Sequence, residues 1–184
     1  MAEMVDNVDE VADGVEKVEI SEESGENATP SPEDLELCSK PSIDRSVKID
    51  ELVRLLNIFC QYPERYIFQK DENSKPMVLH NYVDKVVMAI RGCSSVIPAR
   101  QKAAIDAGVV PGIVKIFTGP HKTDRETMVR TTQCFLGICG KNDEAIAAFK
   151  EAGAEAALIE VCKIHEGKDS STNDMAKSLA LMQD

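Results

Sequence analysis

Residues 104–114 read AIDAGVVPGIV, a string in which one helix ends and the next begins with almost no linker. Gly108 stands at the junction, where glycine takes the left-handed backbone conformation at no steric cost. Pro111 follows three residues later, and proline is tolerated in the first turn of a helix because its missing N–H loses no hydrogen bond there. The string therefore predicts two helices joined by a sharp turn at Gly108.

Three segments of the chain align with one another around this string. Asn57, Gly92 and Gly137 occupy the same position in the alignment, at spacings of 35 and 45 residues. Repeats of this size are typical of stacked helical units, in which each unit buries its neighbour. Gly92 and Gly137 fall inside predicted helices, where glycine costs about 1 kcal/mol relative to alanine. We expect both to be retained because another helix packs too closely for a side chain.

The apolar residues after position 45 recur at helical spacing, without the alternation of β-strands. This periodicity predicts an all-α body, with Pro76 opening one of the helices and Asp124 capping another. The predicted helices cover residues 49–61, 63–69, 76–93, 98–107, 111–117, 125–139, 143–152, 154–165 and 174–182.

Charge divides the chain in two. Residues 1–40 hold 13 Asp and Glu against 2 Lys, whereas residues 41–184 hold 19 acidic and 19 basic residues. An acidic segment without aromatics cannot bury enough apolar area to fold, so we predict a disordered acidic tail over residues 1–45 and a helical domain over residues 46–184. Whether the tail folds on a partner stays open, as does phosphorylation at Thr29 and Ser31, which both precede proline.

The neutral body does not favour nucleic-acid binding, which needs a net basic surface. The sequence contains no run of about 18 apolar residues, so we predict no membrane insertion. The six cysteines form no CxxC pair, so we expect reduced, packed thiols and a location in the cytoplasm or the nucleus. Cys162 and His165 lie one helical turn apart, which we interpret as a packed thiol beside a surface histidine. We expect no metal, no cofactor and no catalytic site, because none of the known motifs is present.

The repeated segments resemble the armadillo repeat. Residues 82–166 carry the resemblance and residues 49–80 resemble a degenerate first copy. The resemblance implies a short right-handed α-solenoid of about three units, at about 47–80, 81–119 and 123–166, with a partial C-terminal cap at 172–184. The residues that carry it are Ile90–Cys93, Ala104–Val114, Phe135–Cys139 and Ala147–Ile159.

In armadillo-like proteins the third helix of each unit lines a concave groove that binds extended peptides or partner helices. The alignment places six residues in this groove of the chain, and we take them as candidate partner-binding residues: His80, Asn81, Lys115, Thr118, Glu160 and Lys163. Family members that act in nuclear import hold basic signals with Trp and Asn. This chain contains no Trp, so it lacks the residues with which the nuclear-import members bind basic signals.

The resemblance implies a non-enzymatic protein–protein interaction module, a scaffold or adaptor that binds a protein partner through the concave face. A basic segment of the partner would contact the acidic tail. One alternative is an armadillo-type regulator of small GTPases. A second, from a different class, is an enzyme whose site the sequence does not reveal.

Overall fold

The computed structural model describes residues 30–40, 42–44, 46–60, 69–70, 76–77, 82–95, 97–166 and 172–183 of the 184-residue chain. Within these ranges the regular structure is helical apart from one pair of two-residue strands, and this confirms the all-α class. The elements are α1 (Pro32–Ser39), α2 (Ile49–Phe59), β1 (Gln69–Lys70), β2 (Pro76–Met77), α3 (Tyr82–Ser94), α4 (Pro98–Asp106), α5 (Val109–Thr118), a 3-10 turn (Pro120–Thr123), α6 (Arg125–Cys139), α7 (Asp143–Glu151), α8 (Ala154–His165) and α9 (Thr172–Gln183).

The strand pair corrects two helix predictions. Gln69 pairs with Met77 and Lys70 pairs with Pro76 in an antiparallel arrangement, so Pro76 does not open a helix. Proline is compatible with a short edge strand, because there its missing N–H faces away from the ladder. The rest of the predicted first repeat between residues 61 and 81 lies outside the described residues.

The prediction of disorder over residues 1–45 is wrong at α1. The hydroxyl of Ser31 accepts a hydrogen bond from the Asp34 amide at 3.1 Å, and the Asp34 carboxylate accepts one from the Ser31 amide at 2.9 Å. This reciprocal pair is a capping box, which satisfies two amides at the start of a helix. The capping box was not evident from composition, because its four residues contribute little to the average composition of the segment. Residues 1–29 lie outside the described residues.

The long helices form two layers. In the first layer α3 packs along α6 and α6 along α9, and in the second α2 packs on α5 and α5 on α8. The two layers bury a continuous apolar core between them, since α2 also packs on α3 and α8 on α9. The Phe135 ring lies at the centre of this core, with its centroid 6.2 Å from that of Phe117 and 4.8 Å from that of Phe149.

The glycines separate into turns and packing positions. Gly108 and Gly153 have φ angles of 87° and 81°, so each makes the left-handed turn predicted between a short and a long helix. A Cβ at Gly137 would lie 2.8 Å from the Ser95 hydroxyl, which confirms the expected close approach of α6 to α3. A Cβ at Gly92 would meet nothing within 4 Å, and the same expectation is wrong there.

Candidate functional site

The structure places four of the six predicted partner-binding residues. Lys115 and Thr118 lie on α5, and Glu160 and Lys163 lie on the neighbouring helix α8, all of them exposed. The Glu160 carboxylate accepts a hydrogen bond from the ammonium group of Lys122 at 2.7 Å. The Thr118 hydroxyl donates to a main-chain carbonyl of its own helix, that of Val114, at 2.9 Å.

The other two predicted residues, His80 and Asn81, lie outside the described residues. The four that are placed therefore belong to the layer α2–α5–α8. Two of these four already bond to groups of their own chain.

A cleft of about 840 Å³ opens on the other layer, along α3, and α6 contributes Arg130 to its lining. One wall is the segment Ser42–Asp44, which leads from α1 to α2, and the floor is about three turns of α3 and the residue after it, Asp84 to Ser95. Charged side chains line it together with small and apolar groups. The lining residues that carry a charge are Asp44, Asp84, Lys85, Arg91 and Arg130.

Asp84 is the buried carboxylate of this cleft, and it is only 5% exposed. Its Oδ2 lies 3.6 Å from Nε of Arg130, and its Oδ1 has no hydrogen-bond partner in the structure. Burial raises the pKa of Asp84 to about 6, although a hydrogen bond from Thr127 and the charge of Arg130 oppose the rise. A buried carboxylate oxygen without a donor is costly, and the Arg130 guanidinium beside Asp84 offsets part of that cost.

Arg130, on α6, is the cation beside Asp84. Its Nη2 donates to the carboxylate of Glu126 at 2.7 Å, one helical turn earlier on α6. Its buried Nε has no acceptor within hydrogen-bonding distance. Asp84 and Arg130 thus form a buried ion pair in which Oδ1 and Nε make no close hydrogen bond.

Two further cations flank the pair. Nζ of Lys85 donates to the carbonyl oxygens of Cys38 and Lys40, so it ties α3 to the end of α1. Nη1 of Arg91 donates at 2.8 Å to the neutral side chain of Gln133 on α6. Among the described residues neither cation is paired with a carboxylate, and the cleft lining also contains the carboxylates of Asp44 and Asp84.

Sequence reasoning missed this cleft, although one signal was present. Asp84 and Lys85 fall between Val83 and Val86, in a helix that is buried on most of its surface. Charged residues at buried helix positions need partners, and such positions are often functional. The partner of Asp84 was not predictable, because Arg130 lies 46 positions later in the chain.

The remaining reactive side chains are packed within the fold. All six cysteines are free; Cys93 and Cys162 are half-buried and the other four are buried. His165 is fully buried, and its Nε2 lies 2.8 Å from the main-chain oxygen of Lys122, so the prediction of a surface histidine is wrong. Within the described ranges no three potential ligands converge on a metal site.

Comparisons with known proteins return no match to this chain, whether to a family model, a curated protein or a solved structure. Among the described helices, none combines the length and the apolar character needed to cross a bilayer.

Proposed function

We propose that this chain is a protein-binding module of the armadillo-like type, a scaffold or adaptor whose partner docks on the face of α3 and α6. The repeated Gly turns and the two layers of long helices support a stack of similar units, because each short helix, turn and long helix recurs in the same order. The partner is a protein, and the proposed activity is binding rather than catalysis. The unpaired thiols fit a reducing compartment, the cytoplasm or the nucleus.

The open cleft along α3 is the observation that carries this proposal. It has a volume of about 840 Å³ and is lined by the buried carboxylate of Asp84 and by the guanidinium of Arg130, 3.6 Å from it. Clefts of this size that contain a few polar groups are the places where proteins most often bind other molecules. The predicted residues on α5 and α8 offer a competing surface, and an experiment can separate the two.

Site-specific photo-crosslinking tests the proposal. A photoreactive amino acid replaces Gly92, which lines the cleft and has open space for a side chain. In matched variants the same amino acid replaces Lys115 or Lys163, both exposed on the other layer. In the native cell we expect a discrete crosslinked protein from position 92 and much weaker products from positions 115 and 163. Crosslinking from 115 and 163 alone would move the interface to the second layer, and no crosslink from any position would contradict a binding module.

A further inference from the structure

We propose that Ser31 is a phosphorylation site for a proline-directed protein kinase, and that the phosphate releases α1 from the helical body. Ser31 and Thr29 are the only Ser or Thr residues of the chain that precede a proline, and Ser31 is the one that the structure describes. Its side chain is exposed, and its backbone is extended, with φ −73° and ψ 161°. The hydroxyl is therefore open to an enzyme from solvent. This inference does not depend on the binding function proposed above.

The modification transfers the γ-phosphoryl group of ATP to the Ser31 hydroxyl. A bond forms between Oγ of Ser31 and the γ-phosphorus, and the bond from that phosphorus to the oxygen bridging the β- and γ-phosphates breaks. The hydroxyl proton passes to the base of the kinase, and ADP leaves. The product carries a charge of about −1.5 to −2 at neutral pH, where the native side chain carries none.

The hydroxyl that is modified also holds the start of α1. It accepts a hydrogen bond from the Asp34 amide at 3.1 Å, and the Asp34 carboxylate accepts one from the Ser31 amide at 2.9 Å. The phosphate is therefore attached within the same capping box as a carboxylate that is only 4% exposed. Two anions this close repel each other, and little water reaches the buried one to screen its charge.

Arg54 is the cation at this end of α1, and its donors are already engaged. Its Nη1 and Nη2 groups donate to the Asp34 carboxylate, and its Nε and Nη2 groups donate to Glu51 at 2.9 and 2.6 Å. Glu33 adds another negative charge in the first turn of the helix. A phosphate stabilises a helix N-terminus when it stands alone, but it disrupts structure when it stands beside carboxylates. With Glu33, Asp34 and Glu51 around a single guanidinium, we expect repulsion to prevail.

The helix α1 is held weakly enough for one added charge to release it. Helices of eight residues do not form alone in water, so α1 depends on its contacts with the body. At its start the contact is the pair of Asp34 with Arg54, and at its end Lys85 donates to two carbonyl oxygens. Between them lies a short apolar side that includes the fully buried Cys38. Release would also free the segment Ser42–Asp44, which lines the cleft.

Treatment of the full chain with a proline-directed kinase and ATP tests the proposal. Mass spectrometry locates the phosphate, and alkylation of Cys38 reports release, because this thiol is fully buried while α1 is docked. We expect phosphate on Ser31 and alkylation of Cys38 about tenfold faster than in the untreated chain. Cys134, fully buried in α6, should stay unmodified while the rest of the fold is intact. The proposal fails if Ser31 takes no phosphate, if Cys38 stays protected in the phosphorylated chain, or if Cys134 reacts as fast as Cys38.

Ser31→Ala is the matched control, because it removes the acceptor hydroxyl and keeps Thr29. The lost cap raises the baseline reactivity of Cys38, so the treated variant is compared with the same variant untreated. We expect kinase treatment to leave its rate of alkylation unchanged. An increase as large as in the native chain would place the effective phosphate at another residue and overturn the proposal.

Asp34→Asn tests the cause of the release. Asparagine is neutral, so the phosphate no longer faces a carboxylate in the capping box and Arg54 can donate to it instead. Among molecules that carry the phosphate on Ser31, we expect Cys38 to be at least as protected as in the untreated variant. Release as strong as in the native chain would show that repulsion from Asp34 is not what frees α1.

Discussion

The ammonium nitrogen of Lys85 lies 2.8 Å from the carbonyl oxygen of Cys38 and 2.7 Å from that of Lys40. Both carbonyls belong to the end of α1, where the last C=O groups of a helix have no partner within it. A cation at this end also interacts favourably with the helix dipole. Lys85 therefore holds α1 against α3, and α1 leads into the segment Ser42–Asp44 that lines the cleft.

Substituting Lys85 by Met is expected to release α1. The methionine keeps the apolar stem but loses both hydrogen bonds, so the free energy of local opening should fall by about 1–3 kcal/mol. Cys38 provides the readout, because it is fully buried and burial raises the pKa of its thiol to about 12. Alkylation followed by mass spectrometry should modify Cys38 in the variant but not in the native chain.

The control for this experiment is Lys102→Met. Lys102 is exposed and its partners are surface carboxylates, so its loss should leave Cys38 protected. Cys134, fully buried in α6, serves as an internal reference that stays unmodified while the fold is intact. Continued protection of Cys38 in Lys85→Met would show that apolar contacts alone hold α1.

The buried carboxylate of Asp84 predicts a specific pH dependence of stability. Its pKa rises from an ordinary value of 3.8 to about 6, because burial disfavours the charged form and Asp124 and Glu126 add to the effect, while Thr127 and Arg130 oppose it. Between these pH values the folded state holds a proton that the unfolded state has lost, so stability falls as pH rises. The gap corresponds to roughly 3 kcal/mol as an upper limit.

Asp84→Asn isolates this contribution, because it removes the titrating group and keeps the shape. The difference in unfolding free energy, variant minus native, should grow by up to roughly 3 kcal/mol between pH 4 and pH 7 and change little above that range. Urea unfolding at a series of pH values measures it. A difference that is independent of pH would mean that Asp84 titrates normally in the folded chain.

The parts of the fold that were predictable from sequence are those that depend on neighbouring residues. The turns at Gly108 and Gly153 were predicted from the glycines themselves, and both glycines have positive φ angles. The helix cap at Asp124 was predicted in the same way, and its carboxylate accepts hydrogen bonds from the amides of Glu126 and Thr127. The cleft was not predictable, because it depends on α3 meeting α6 and no local pattern fixes that pairing. The candidate partner-binding residues on α5 and α8 came from the alignment of the repeats, which relates equivalent positions but does not say which layer carries a cavity.

Gly92 and Gly137 provide a matched pair of substitutions, since they are aligned residues in the helices α3 and α6. Gly92→Ala should stabilise the chain by about 0.5–1 kcal/mol, because the added methyl meets no atom and alanine favours the helix. Gly137→Ala should not, because its Cβ would lie 2.8 Å from the Ser95 hydroxyl. Thermal or urea unfolding compares the two variants.

Ser95 tests the cause of that difference. Its hydroxyl donates to the main-chain oxygen of Arg91, so it cannot move away from residue 137 without losing this bond. In a Ser95→Ala background the obstructing oxygen is gone, and Gly137→Ala should then recover most of the stabilisation expected at Gly92. If Gly137→Ala is equally tolerated in both backgrounds, the close approach of α6 to α3 is not what retains the glycine.

Acid is expected to release α1, through the contact of Asp34 with Arg54. The Arg54 guanidinium donates to both oxygens of Asp34 and lowers the pKa of that carboxyl. Because the folded pKa lies below the unfolded one, the contact stabilises the docked helix at neutral pH and is lost as pH falls through the folded value. Arg54→Gln removes the main cause of the lowered pKa, so α1 should detach at a higher pH than in the native chain. NMR titration of the Asp34 carboxyl gives the midpoint pH in the native chain and in the Arg54→Gln variant. Equal midpoints in the two chains would mean that Arg54 does not set the acid stability of α1.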